Sequence, residues 1–431
     1  MGASSSKIKA RLEGAPVVVV VGAGYGGLAV AKALDKTFNV VLIDRKAYFL
    51  HNIGALRVED GYEHKICIPY SNLLDYGHVV QAEVTRISPG GVYVYGRDEP
   101  IDFDYVVIAT GTSYAFPCKI AEPEMEDATG QYTGVRERIA EAQRITVVGG
   151  GPTGVELCGE IKETHPDKDV TLIHSRGALV PGPLRDAFKS KLLEKVQSMG
   201  VEVMLNERVN LKESFSEPEA VSANFVPGTR QLTLESGATM ETDLVFFCMG
   251  AHVNSKSYEA DFGGVMNDDG RLRVNENLQV EGFTNVFALG DCNDVAEIKL
   301  GYAAQNQATV VAKNVAALRA SKALKAYTPG HHVMIVTAGR NGGVAQLPVP
   351  GGKVMGSRFS AMVKSKGLFT ANQWKLLRQS LKDAAGPSGG DEDVEPDAVP
   401  RLAQAMQISE EDAEELLRGL PVGDHSGESF T

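Results

Sequence analysis

One supersecondary unit is written twice in this 431-residue chain, and it restricts the fold more than any other feature. Val17 to Val21 is an unbroken apolar run, the pattern of a strand covered on both faces. Gly22-Ala23-Gly24-Tyr25-Gly26-Gly27 follows and opens a helix, and Phe38 to Asp44 supplies a second apolar strand. The unit returns from Ile145 to His174, with Ile145 to Val148, then Gly149-Gly150-Gly151-Pro152-Thr153-Gly154, with Pro152 suited to a first helical turn. In each copy the first glycine allows the tight turn, the second lets backbone N–H groups approach a pyrophosphate, and the third allows close helix-to-strand packing. Glycines at this spacing are weak evidence alone. Between a strand and a helix, with a second strand ending about 20 residues on, they predict a dinucleotide site. Two copies predict two.

The copies differ where the second strand ends. Asp44 can accept hydrogen bonds from a ribose, whereas the later copy ends His174-Ser175-Arg176. An acid there favours NAD and a nearby arginine can hold the extra phosphate of NADP, so NADPH is permitted while Arg176 as a plain surface residue, with NADH used equally well, stays open.

Tyr105 to Gly111 and Leu244 to Gly250 each read as a strand delivering the chain to a glycine turn at a domain edge, and Asn285 to Asp291 precedes a helical stretch through Asn314. The predicted fold class is therefore α/β, with two nested Rossmann-like dinucleotide-binding domains: a discontinuous first domain (16–113 and 250–326) and an inserted second one (114–249). Val333 to Val336, Val344 to Leu347 and the region Phe359 to Leu381 suggest strands and then a helix, a small α+β C-terminal domain over 327–382.

The net charge of −12 belongs almost wholly to the end of the chain: from Asp383 onward thirteen acids face two bases. The body is near neutral and carries no footprint for nucleic acid. Gly386 to Ala398 reads as a disordered linker in an acidic tail (383–431), and Pro400 to Leu420 as a docking helix or a solvated segment. Cys67, Cys118, Cys158, Cys248 and Cys292 form no Cys-x-x-Cys pair, so neither a metal site nor a redox disulfide is encoded. No apolar run approaches the roughly 20 residues that span a bilayer. Met1-Gly2-Ala3-Ser4-Ser5-Ser6 fits the myristoylation pattern at Gly2, with Lys7, Lys9 and Arg11 as a basic second signal in segment 1–15.

Further motifs carry a resemblance: Leu50-His51-Asn52 with Ala55-Leu56-Arg57, Ala109-Thr110-Gly111, Gly154-Val155-Glu156, Leu289-Gly290-Asp291-Cys292, and Lys364-Ser365-Lys366-Gly367-Leu368-Phe369 followed by Trp374. From about Val17 to Ser380 the chain resembles the two-dinucleotide-binding-domain flavoproteins that include apoptosis-inducing factor and the type II NADH:quinone oxidoreductases. The resemblance implies FAD, or a modified FAD, in the first domain, NADH or NADPH in the second, and a ubiquinone-type quinone at the junction with the C-terminal domain, reduced there to a radical-trapping quinol. It implies that Asp291 binds the ribityl chain, that Thr110 and Gly111 line the same site, and that Arg57, Ala82 and Lys119 lie near the flavin nucleotide. Glu156, two residues past the last glycine, is expected on the first helical turn, able to orient a carboxamide, or to serve only as a dipole-favoured acid. His51 as a proton source beside the quinone and Lys364 as a lining residue rest on the resemblance. Location is expected at the cytoplasmic face of membranes (lipid droplet, plasma membrane or outer mitochondrial membrane) and in the cytosol. A homodimer and a protein partner for the tail remain open. Two rivals also stay open: a mitochondrial type II NADH dehydrogenase, and an NAD(P)H-sensing interaction protein that binds FAD with negligible turnover.

Overall fold

The computed structural model describes residues 12–60, 62–215 and 225–381. The expectations for Gly2, the basic N-terminal residues and the acidic tail lie outside the described residues.

The valine run forms β1 (Val17–Val21) at the centre of a five-stranded parallel sheet. After it come α1 (Tyr25–Leu34), β2 (Asn39–Asp44), β3 (His78–Gln81) and β4 (Tyr105–Ile108). The second unit gives β5 (Arg144–Val148), α2 (Pro152–Thr164), β6 (Asp169–His174), β7 (Val201–Leu205) and the hairpin β8 (Phe225–Thr233) with β9 (Thr239–Phe247). The chain then returns to the first sheet with β10 (Val286–Ala288) and α3 (Gly301–Arg319). The first sheet therefore runs β10-β4-β1-β2-β3, and the second β7-β6-β5-β9-β8, parallel except for its edge strand β8. One sheet draws strands from both sides of the other in sequence, as nested domains require.

Val18, Val19 and Val20 are fully buried, as a strand covered on both faces must be. Leu28, Ala31 and Leu34 of α1 pack with Ala308, Val311 and Val315 of α3 in one apolar cluster beneath the sheet. Each leucine and valine among them contributes roughly 1.5–3 kcal/mol by leaving water, the alanines less. The chain crosses between the two sheets in two short strands, Thr112–Ser113 and His252–Val253, which pair antiparallel. The two crossings thus lie side by side.

The last part forms a three-stranded antiparallel sheet of β11 (Met334–Thr337), β12 (Gly343–Gln346) and β13 (Val354–Met355). The single helix expected near Phe359 to Leu381 is instead broken. A short helix over Ser357–Ser360 runs into a π-helical turn, Ala361–Ser365, and α4 (Thr370–Leu376) begins only after Leu368 and Phe369, which hold φ of 51° and 61°. Left-handed backbone at two successive branched or aromatic residues is strained and persists only where packing fixes it. Here both side chains are buried. This domain grips both others. Trp374 Nε1 donates to the Lys65 carbonyl at 2.8 Å, Arg378 forks onto Asp75 at 2.7 and 3.0 Å, and Lys32 donates to the Leu376 carbonyl. On the other side α2 lies so close that a Cβ on Gly159 would stand 2.7 Å from the Gly339 amide nitrogen.

Candidate active site

A cleft of about 1080 Å³ opens at the ends of β1 and β2, slightly above the roughly 300–1,000 Å³ of most ligand pockets. Gly22 has φ of +101°, and a Cβ there would meet the Ala109 carbonyl at 2.3 Å; one on Gly27 would meet the Gly22 carbonyl at 1.8 Å. Gly24 caps α1 in extended backbone and has open space where a side chain would begin. Two glycines are thus required for packing and the third keeps room for a ligand at a helix N-terminus. Asp44 is held ready: one carboxylate oxygen accepts from the Ala23 amide at 2.7 Å and the other from the Lys46 amide at 2.9 Å.

The cleft walls bring together Gly22, Ala23, Gly24, Tyr25, Asp44, Ala82, Thr110, Gly111 and Lys119. Asp291 stands behind them, accepting from the Thr112 hydroxyl at 2.7 Å with Lys119 Nζ at 3.9 Å. Burial lowers the Lys119 pKa, partly offset by Asp291. The Thr110 hydroxyl and the Asn52 amide oxygen are buried without a protein partner at this wall, polar atoms that a ligand can satisfy. The long cleft, the ribose acid, the open helix cap and these orphaned atoms fit FAD. Thr112, Asn52, Arg45 and Lys46 escaped the sequence reading, although Asn52 ends the Leu50-His51-Asn52 motif and the two bases follow Asp44 directly.

The second turn repeats the geometry. Gly149 has φ of +118°, and a Cβ there would meet the Cys248 carbonyl at 2.2 Å; one on Gly154 would meet the Gly149 carbonyl at 1.9 Å, and one on Gly151 would again have nothing near. At the end of β6 the Nδ1 of His174 accepts from the Gly150 amide at 3.1 Å, the counterpart of Asp44 with Ala23. An imidazole that accepts at Nδ1 carries its proton on Nε2. Burial and the nearby Arg176 charge lower its pKa, so the ring is neutral. Arg176 is exposed and makes no side-chain hydrogen bond or ion pair among the described residues.

Between the two turns the other expected residues converge, with three corrections. Glu156 is the fifth residue of α2, just past its first turn. Its carboxylate accepts from Lys364 Nζ at 2.7 Å and from the Thr337 amide at 3.0 Å, and Lys364 also donates to the Ile335 carbonyl at 2.9 Å. The pair therefore ties the second domain to the C-terminal one. Arg57, expected near the flavin nucleotide, does not line the cleft: it is buried against Glu160, its Nη2 2.9 Å from that carboxylate. Its place in the motif could not say which way so long a side chain would point.

His51 is fully buried. Its Nε2 lies 2.8 Å from the Leu368 carbonyl, which can only accept, so the ring's proton is there, and Nδ1 accepts from the Tyr25 hydroxyl at 2.9 Å. Burial brings its pKa down to about 4, so the ring is neutral near pH 7. Tyr25, not His51, faces the cleft. Cys118 receives a 3.7 Å contact from the Thr153 hydroxyl, and burial raises its pKa and keeps it a thiol. All five cysteines are free.

The model of the pyridine nucleotide-disulphide oxidoreductase family matches residues 16–308. Ferroptosis suppressor protein 1 of Taeniopygia guttata is 37% identical over 86% of this chain and 98% of its own length, and that of Homo sapiens is 36% identical over 85% and 97%. Apoptosis-inducing factor homolog B of Dictyostelium discoideum is 34% identical over 82% and 94%. Among solved structures the fold is shared with NDH2 from Plasmodium falciparum in complex with NADH (TM-score 0.64, 14% identity, 80% of this chain and 92% of that one). It is also shared with an NAD-dependent persulfide reductase from A. fulgidus (TM-score 0.62, 19% identity, 77% and 63%). With two glycine turns of one geometry and a cleft that fits FAD, the chain belongs to the pyridine nucleotide-disulphide oxidoreductases and is an FAD-dependent NAD(P)H oxidoreductase.

Proposed function

We propose that this enzyme reduces a ubiquinone-type quinone at a membrane surface, and that the quinol it releases traps lipid radicals and suppresses ferroptosis. What carries it is the contact of Lys364 with Glu156, which closes the C-terminal domain over the junction of the two nucleotide sites. It occurs in a chain similar over nearly their full length to proteins named for ferroptosis suppression.

The chain's residues divide the work by position. The first turn and Asp44 hold FAD, with Thr112, Lys119 and Asp291 at the far wall; the second turn and His174 hold NADH or NADPH. Bound FAD supplies the acceptor for a hydride from the nicotinamide and the donor to the quinone. Glu156 orients the nicotinamide carboxamide, and Lys364 balances its charge where water is scarce. His51, neutral and buried, fixes the Tyr25 hydroxyl at the cleft rather than delivering a proton as imidazolium. Among the described residues no helix is long and apolar enough to cross a membrane. Attachment is assigned to an acyl chain on Gly2 assisted by Lys7, Lys9 and Arg11, since one acyl chain alone binds marginally.

The test is anaerobic mixing with NADH or NADPH, watching the flavin band bleach, followed by a short-chain ubiquinone. Rapid return of the band supports the electron path. Bleaching without return sinks the quinone and leaves a protein or radical as acceptor. Separately, Gly2→Ala should move the protein from membrane to cytosol, and an unchanged partition removes the anchor.

A further inference from the structure

The α2 helix carries two acids one turn apart, Glu156 towards the C-terminal domain and Glu160 towards Arg57 of the FAD domain. Glu156 holds Lys364, and Glu160 holds Arg57 with Oε2 3.1 Å from Nε and Oε1 2.9 Å from Nη2. The same guanidinium reaches on into the C-terminal domain: Nη2 donates to the Ser365 carbonyl at 2.6 Å and Nη1 to the Lys366 carbonyl at 2.8 Å. These are the two carbonyls directly after Lys364, at the end of the π-helical turn. Widening a helix to π spacing disturbs its regular amide ladder, and such turns recur at functional sites. Ser365, itself fully buried, is fixed further by its hydroxyl to Gly342 and Ser360 carbonyls at 2.7 and 3.0 Å.

One buried side chain from the FAD domain thus joins the coenzyme helix to the backbone that carries Lys364. The arrangement is expensive. Arg57 and Glu160 are 1% and 5% exposed, and burial pushes the Glu160 carboxyl up even beside Arg57. Apolar residues of similar volume would often stabilise such a position better, which directs attention to geometry rather than stability. Arginine suits it because a planar fork sets four bonds at fixed angles, which a lysine cannot do.

We infer that Arg57 and Glu160 are positioning residues, which hold Lys364 against Glu156 so that the coenzyme helix and the C-terminal domain meet the nicotinamide as one unit. This rests on the proposed role of the Lys364–Glu156 pair. Arg57→Lys keeps the charge opposite Glu160 but loses the fork, and should retain FAD. Flavin reduction at saturating NADH should slow about 10- to 100-fold, as for loss of well-set orientation, with the Kd for NADH changed less. In the same variant acylation of Lys364, read by mass spectrometry without coenzyme, should speed up about fivefold as its partners loosen. Combined with Lys364→Met, Arg57→Lys should slow the reaction no further, because residues acting through one another are not additive. An unchanged rate and unchanged acylation in Arg57→Lys, or losses that simply add in the double variant, overturn the inference. If Lys364→Met alone leaves the rate intact, the role of the pair itself is wrong, a separate failure. Should Arg57→Lys fold poorly, Glu160→Gln, which keeps the shape of the acceptor, takes its place: slower flavin reduction and faster Lys364 acylation support the inference, and no change in either overturns it.

Discussion

The two glycine turns follow one plan as far as the end of the next strand and part there, an acid in the first half and a neutral imidazole in the second. Gly22 and Gly27 repeat in Gly149 and Gly154 down to the carbonyls that a Cβ would meet, and Gly24 and Gly151 are alike in the open space beside them. Two glycines of the shared part are set by backbone packing, and the third leaves room at the helix N-terminus in both halves. Asp44 and His174 each receive the amide after the first glycine, yet only Asp44 keeps acceptor capacity for two ribose hydroxyls. The glycine scaffold is common to both halves, and the side chain at the strand end is where their chemistry differs.

The sharpest way to break this comparison is at the third glycine. Gly27→Ala and Gly154→Ala each force a Cβ to within 2 Å of a backbone carbonyl. Each should cost more than about 4 kcal/mol locally. Gly27→Ala should yield protein without FAD. Gly154→Ala should retain FAD that bleaches with dithionite but not with NADH; loss of FAD there would mean the halves do not fold separately. Next in size is a contrast of two buried imidazoles. His51 titrates at about 4 against roughly 6.5 unfolded, so the unfolded chain binds more protons between those values. Its contribution is complete above about pH 6.5, and about 3 kcal/mol is lost as pH falls through 4. Urea unfolding at pH 7 and pH 4.5 should show this, and His51→Gln should flatten the slope; an equal slope in the variant would move the effect to His174. Asp44→Ala should weaken FAD by about 10- to 100-fold, the loss of a charged hydrogen bond, read by flavin release on dilution. His174→Asp should lower the NADPH-to-NADH ratio of kcat/KM by about tenfold, making the second half resemble the first. Smallest, Arg176→Ala should reduce that ratio about threefold, as expected of an exposed charge; no change would make Arg176 a plain surface residue.

Much of this was legible because βαβ units announce themselves locally. The valine run, the glycine spacing and Asp44 specify a strand, a turn and a helix within 30 residues, and the structure places them as expected. What escaped depended on contacts between distant segments. Arg57 belongs to Glu160, 103 positions away, and nothing beside it in sequence says so. His51 stands behind Tyr25 rather than at the cleft, with its Nε2 donating to the carbonyl of Leu368, 317 positions on. The break of the last helix at Leu368 and Phe369 was likewise invisible, since both are ordinary helix-compatible residues and packing alone imposes their backbone.

The paired crossings Thr112–Ser113 and His252–Val253 have a consequence for how such proteins change over time. A module whose two ends leave its host side by side can be exchanged as a cassette, because the host needs only one short turn to close the gap. A replacement tuned to another soluble reductant could be grafted without disturbing the flavin. It would still have to bring a helix with acids four residues apart, because Lys364 of the C-terminal domain holds the first and Arg57 of the FAD domain holds the second.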